Sequence, residues 1–153
     1  ENLGRWVASQ TKKEIIFYPG FCPTHLRLKA HNLKAAKAKH PEAVVVAHPE
    51  CRPEVTALAD AVLSTSQMLR FVKESAATSF LIATEAGILH RMSRDNPGKT
   101  FYTASNALLC PNMKKTTLNS VLAALENRQY VIQVDEEIRR KAVGALDRML
   151  ELV

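Results

Sequence analysis

The sequence has few glycines and no glycine-rich loop. Its 153 residues include only five glycines, and these are scattered along the chain. A dinucleotide fingerprint or a phosphate loop needs closely spaced glycines, because the backbone itself must approach the phosphates. The classical nucleotide-binding α/β proteins are therefore excluded.

Aromatic residues and long apolar runs are also scarce. Aromatics make up 6% of the chain, no stacking motif is visible, and the residues behind the net charge of +6 are spread out. We therefore predict no nucleic-acid partner and favour a field that attracts small anions. No apolar run reaches the length of a membrane span, and residues 1–5 lack a signal-peptide pattern. These features predict a cytoplasmic protein without membrane association.

Cysteine is sparse as well, and its distribution is informative. Cys22, Cys51 and Cys110 are odd in number, far apart and outside any C-x-x-C motif. This pattern argues against a disulfide framework and against a zinc ribbon, and it predicts reduced thiols. A lone cysteine is usually a small buried hydrophobe. Two thiolates do not complete a metal site, so a third ligand would come from Cys51 or from outside this chain.

Short apolar runs alternate with segments of helical periodicity, which predicts an α/β fold with a mostly parallel sheet. Strands are expected at residues 13–18, 43–47, 61–63, 79–83, 100–104 and 129–134. Helices are expected at residues 2–9, 26–39 and 53–59, after an N-cap at Ser66, around 88–92, and at 118–125 and 135–149. In the last helix we expect Ile138, Ala142, Leu146 and Met149 to face inward.

Cys22 and Cys110 each follow a predicted strand and precede a helix. They could be equivalent points of two similar units. We therefore predict small repeated three-layer α/β units, one at residues 1–64 and one at residues 65–153 that includes carboxy-terminal helices.

Polar and reactive residues follow the predicted strands. They are Cys22 and His25, then His48-Pro-Glu-Cys51, Ser64-Thr-Ser66, Glu85, and Ser105-Asn106 before Cys110. Ligands of open α/β sheets bind outside the carboxyl ends of the strands, so we expect these residues to converge.

Two of these groups have plain alternatives. His48 and Glu50 could orient an anion or transfer protons near neutral pH, although a histidine satisfied by local backbone is about equally expected. Ser64-Thr65-Ser66 could seat an anion at a helix start or serve only as an N-cap.

Five stretches, in this order and spacing, resemble the quinolinate synthase family over essentially the whole chain. They are Gly20-Phe-Cys-Pro-Thr-His25, His48-Pro-Glu-Cys-Arg-Pro-Glu-Val55, Ala59-Asp-Ala-Val-Leu-Ser-Thr-Ser66, Thr84-Glu-Ala-Gly-Ile88 and Cys110-Pro-Asn-Met-Lys114. The resemblance implies an enzyme of NAD biosynthesis that condenses iminoaspartate with dihydroxyacetone phosphate to quinolinate. It also implies three similar α/β domains around a pseudo-threefold axis.

The resemblance further implies a [4Fe–4S] cluster on three cysteines, with the fourth iron open as a Lewis acid. Cys22 and Cys110 match two of these metal ligands, and Cys51 falls where the family has none. His25, His48, Glu50 and Thr65 match positions that line the substrate pocket, with Ser64 beside them. His48 and Glu50 are the expected catalytic pair.

The family's first domain, with the third cysteine, has no counterpart in these residues. We therefore expect this chain to correspond to the carboxy-terminal portion of such an enzyme and to be incomplete for catalysis alone. Expected partners are the missing domain, L-aspartate oxidase as a source of iminoaspartate, and a second copy in a homodimer. The alternative is a non-catalytic α/β module that binds an anion or a partner through the same strand ends.

Overall fold

The computed structural model describes residues 1–152. The chain divides into two compact units, one from Glu1 to Pro111 and one from Asn112 onward. Among the described residues, no helix combines the length and apolarity needed to cross a lipid bilayer.

The first unit alternates helices with short strands. Its helices are α1 (Asn2–Ser9), α2 (Pro23–Leu26), α3 (Ala30–Lys39), α4 (Pro53–Thr56), α5 (Thr65–Glu74) and α6 (Ile88–Asp95). Its strands are β1 (Val44–Ala47), β2 (Ala61–Val62), β3 (Ser79–Ala83) and β4 (Thr100–Thr103). The predicted α/β class with a parallel sheet is confirmed.

The four strands form one parallel sheet in the order β2-β1-β3-β4. From β1 the chain first crosses to β2 on one side and then returns to β3 on the other side. The direction of winding therefore reverses between β1 and β3. In open α/β sheets this switch point leaves a crevice at the carboxyl ends of the two strands, where ligands bind.

Alternating side chains of the two central strands bury both faces of the sheet, as a parallel sheet requires. Val45 and Leu81 belong to one apolar cluster, which also holds Leu28, Leu33, Val55 and Leu108. Val46 and Ile82 belong to a second cluster, which also holds Met68, Val72, Phe80 and Met92. Helices α3 and α4 contribute to the first cluster, and α5 and α6 to the second. The unit is thus a helix–sheet–helix sandwich.

The boundary predicted near residue 64 falls between β2 and α5. Strands from both sides of this point hydrogen-bond in the same sheet. The division into repeats at residues 1–64 and 65–153 stays a prediction.

The second unit contains a 3₁₀ helix (Met113–Lys115), α7 (Leu118–Asn127) and α8 (Glu136–Leu150). The Asp135 carboxylate caps α8 by accepting the Glu137 N–H at 3.0 Å. The side chains of α8 that were expected to face inward are exposed, including Ile138 at 61% and Met149 at 64%. That expectation is wrong for this chain, because a helical apolar stripe does not specify what covers it.

Two predicted strands are absent from the described residues. Residues 13–18 and 129–134 have neither helix nor strand structure. Ile16 is 93% exposed and Ile132 is 85% exposed. A strand exists only with a hydrogen-bonded neighbour, and β-branched composition does not supply one.

Three helix predictions are also corrected. The helix expected at residues 26–39 begins only at Ala30 as α3, since α2 ends at Leu26 and Leu28 between them is buried in the core. Helix α4 ends at Thr56, short of residue 59. Ser64, not Ser66, is the N-cap of α5, and its N–H donates to Gln67 Oε1 at 2.8 Å.

Lys99 ties the loop before β4 to the end of α5. Its ammonium donates to the carbonyls of Val72 at 2.6 Å and Ser75 at 2.5 Å, and it lies 5.6 Å from the centroid of the Phe80 ring. The last carbonyls of a helix have no partner within the helix, and a cation there also complements the helix dipole.

Replacing Lys99 with methionine is expected to lower the free energy of unfolding by about 1–3 kcal/mol, because it leaves part-buried carbonyls unpaired. Urea unfolding measures the change. Lys34→Met, at an exposed lysine of α3, is the matched control and should shift the midpoint little. Equal stability of the two variants would contradict the anchoring role.

Candidate active site

The site forms where β1 and β3 end, at the switch point of the sheet. Ala47 and Ala83 are the last paired residues of these strands. His48 follows Ala47 and donates its N–H to the carbonyl of Ala83 at 3.1 Å. Thr84 and Glu85 follow Ala83 and are buried. The polar residues after the two strands are therefore held side by side.

His25 reaches this edge from α2. Cys22 is the N-cap of that helix and Pro23 opens it, as suits a first helical position. The His25 ring stacks on His48 with centroids 4.6 Å apart and an interplanar angle of 20°. Its Nε2 lies 2.8 Å from Thr84 Oγ1. Among the described residues, its buried Nδ1 has no hydrogen-bond partner.

Burial keeps both imidazoles neutral at pH 7. Desolvation, helped by nearby His48 and opposed by Glu85, lowers the pKa of His25 to about 4. Desolvation also lowers the pKa of His48, and the Glu50 carboxylate opposes it. The stacked pair therefore contains one buried nitrogen, Nδ1 of His25, without a hydrogen-bond partner among the described residues.

Glu50 determines which nitrogen of His48 carries the proton. The Glu50 N–H donates to His48 Nδ1 at 3.2 Å. Because Nδ1 accepts, the neutral ring carries its proton on Nε2. The Glu50 carbonyl in turn accepts from Asn2 Nδ2 at 3.1 Å, so α1 supports this turn.

The three cysteines differ in environment. Cys22 and Cys110 are half-buried and form no disulfide among the described residues, whereas Cys51 is 1% exposed. The Cys51 thiol donates to the Ala83 carbonyl at 3.3 Å, and burial raises the pKa of this thiol to about 12. Cys51 is thus a packed, protonated thiol.

Backbone hydrogen bonds hold Cys110 near the end of β3. Its N–H donates to Glu85 Oε1 at 3.3 Å, and the Ala86 N–H donates to the Leu108 carbonyl at 2.8 Å. Within residues 1–152, no three histidine, cysteine or acidic side chains are grouped as a metal site.

Ser64 and Thr65 lie at the exposed start of α5. In the described part of the chain, no hydrogen bond joins either residue to the histidine pair. The structure thus brings together His25, His48 and Glu50, and it leaves the role of Ser64 and Thr65 a prediction.

Thr84 was not predicted as a site residue. It holds the His25 ring through Nε2 and is 6% exposed. The signal that could have identified it was its position directly after a buried strand, the same rule that identified His48.

Comparison with known proteins identifies the family. The family model described as Quinolinate synthetase A protein matches residues 1–151. The chain belongs to the quinolinate synthetase A family. The quinolinate synthase of Thermodesulfovibrio yellowstonii is 51% identical over 154 residues, which cover 100% of this chain and 51% of that protein. Those of Dehalococcoides mccartyi and Geobacter metallireducens are each 50% identical, over 99% of this chain and 50% of the relative.

The chain therefore spans about half the length of the curated quinolinate synthases that it matches. The predicted resemblance to this family is confirmed.

Because His25 has a low pKa in the folded chain, we expect acid to lower the free energy of unfolding. His25 has its ordinary pKa of 6.5 in the unfolded chain and a pKa of about 4 in the folded chain. Its contribution to the free energy of unfolding is therefore fully present above pH 6.5 and is lost as the pH falls toward 4. Lowering the pH from about 7 to about 5 should reduce the free energy of unfolding by about 2 kcal/mol through this histidine. Urea unfolding at the two pH values measures the loss.

His25→Gln should lose about 2 kcal/mol less than wild type over the same interval, since glutamine does not titrate. His90→Gln, at an exposed histidine of α6, is the control and should keep the wild-type dependence. If the unfolding free energy of His25→Gln depended on pH as strongly as that of the wild type, the pKa assigned to His25 would be contradicted.

Proposed function

We propose that the full-length protein carrying this chain condenses iminoaspartate with dihydroxyacetone phosphate to form quinolinate, and that this chain contributes one edge of the active site. The observation that carries the proposal is the buried His25–His48 pair with its unbonded Nδ1. It lies at a sheet switch point, in a chain of the quinolinate synthetase A family.

Cys22 and Cys110 are the proposed ligands of a [4Fe–4S] cluster. Both cysteines are half-buried and form no disulfide among the described residues, and cysteine thiolates are the usual donors to such clusters. Cys51 does not fit, because its thiol is packed against Ala83 and held protonated. We propose that the third ligand comes from the part of the family's length that this chain does not span. When bound, the cluster would supply a Lewis acid for a substrate oxygen.

The histidine pair would handle substrate and protons. His48 carries its proton on Nε2, so that atom would donate to a substrate oxygen or nitrogen. His25 would line the pocket beside His48 while Thr84 holds its Nε2. Glu50, whose carboxylate favours the protonated form of His48, would stabilise that ring when it takes up a proton.

The phosphate or a carboxylate of the substrates is proposed to bind near Ser64 and Thr65. These residues open α5, where hydroxyl groups and the positive end of the helix favour an anion. The net charge of +6 would assist the approach of both anionic substrates.

The same proposal includes a source of iminoaspartate and protein partners for this chain. Iminoaspartate would be delivered by L-aspartate oxidase in the cytoplasm. The remaining part of the enzyme, and a second copy in a homodimer, are the proposed protein partners.

Cysteine replacement in the full-length protein tests the ligand assignment. Cys22→Ala and Cys110→Ala should each lose the brown colour, most of the iron and sulfide, and quinolinate formation after anaerobic reconstitution, because each removes a thiolate donor. Cys51→Ala is the matched control and should retain its iron, with a stability loss of roughly 1 kcal/mol from lost packing.

Iron retained in Cys22→Ala or Cys110→Ala would contradict the assignment. A folded wild-type protein that binds no iron would favour a non-catalytic module that binds an anion or a partner.

A further inference from the structure

We infer that Glu85 is a positioning residue that holds the backbone of Cys110 in place for metal binding. This inference rests on the proposed function, since it concerns the same cluster site. Glu85 is a buried carboxylate that the function proposed for the histidine pair does not use.

The Glu85 carboxylate connects two backbone segments. Oε2 accepts the N–H of Gly87 at 2.7 Å, within its own turn, and Oε1 accepts the N–H of Cys110 at 3.3 Å. The Ala86 N–H adds a bond to the Leu108 carbonyl at 2.8 Å. Leu108 is fully buried, so the segment leading to Cys110 is fixed at both ends.

A carboxylate is the suitable group for this place. Glu85 is 8% exposed, and an ionised group at that depth is tolerated only when it is well hydrogen-bonded. Each of its oxygens accepts a backbone N–H, so both ends of the group are used. A glutamine of the same size has one acceptor oxygen, and its amide nitrogen would face the other N–H.

The end of β3 therefore serves both parts of the site. Thr84 holds the His25 ring, and the next residue, Glu85, holds the Cys110 backbone. Glu85 also lies close enough to His25 to oppose the lowering of its pKa. One strand end fixes the spacing between the substrate-facing imidazole and the metal-binding thiol.

Glu85→Met in the full-length protein, which leaves neither N–H an acceptor, tests the role with two readouts. In the metal-free protein, hydrogen–deuterium exchange of the Cys110 amide should accelerate at least about tenfold, because a charge-assisted hydrogen bond is lost, while that of Leu26 stays the same. In the reconstituted protein, a chelator should remove iron several-fold faster than from Val72→Ala. Val72, buried on the other face of the sheet, provides a control variant with a general loss of stability.

Faster exchange at Cys110 together with faster iron loss than in Val72→Ala supports the role. Unchanged exchange at Cys110, or iron loss no faster than in Val72→Ala, overturns it while leaving the proposed function intact. A wild-type protein that binds no iron overturns the proposed function instead, and the ligand role of Cys110 with it.

Discussion

The parallel pairing of β1 with β3 is the constraint on which the candidate site depends. Its register places Ala47 opposite Ala83, so both strands end at the same level. The carbonyl of Ala83 then accepts from the His48 N–H and from the Cys51 thiol. A slip of this register would move His48 away from Thr84 and would exchange the side chains of the two buried faces.

Cys51 follows β1 and Cys110 follows β4, and the two cysteines have different environments. Cys51 fills a space in the core beside Ala83 and is a packing residue. Cys110 lies on a loop whose backbone is bonded to Glu85, with its thiol partly accessible. Depth and backbone bonding, rather than residue type, separate the structural thiol from the proposed ligand.

The sequence predicted the strands of the sheet better than it predicted the contacts of the candidate site. Residues 43–47 and 79–83 were recognisable because strands buried on both faces are continuous apolar runs. His48 and Cys110 were recognisable because they follow strands. Residues 13–18 have the same composition as a strand, but pairing is a property of neighbours and not of the segment.

Other features of the site required three dimensions. The stacking of His25 on His48 joins a residue of α2 to one that follows β1, and the bond to Thr84 spans 59 positions. No local pattern specifies such contacts. The burial that lowers the pKa of His25 also depends on the whole fold, since a histidine of α2 reaches the core only when the sheet edge is formed.

We propose that Cys22 and Cys110 hold a [4Fe–4S] cluster with one iron facing the substrate pocket. The most direct test is Mössbauer spectroscopy of the full-length protein reconstituted with ⁵⁷Fe, with and without quinolinate. We expect a four-iron cluster in which quinolinate changes the signal of one iron. Four irons that do not respond to quinolinate, or no iron–sulfur signal, would contradict it.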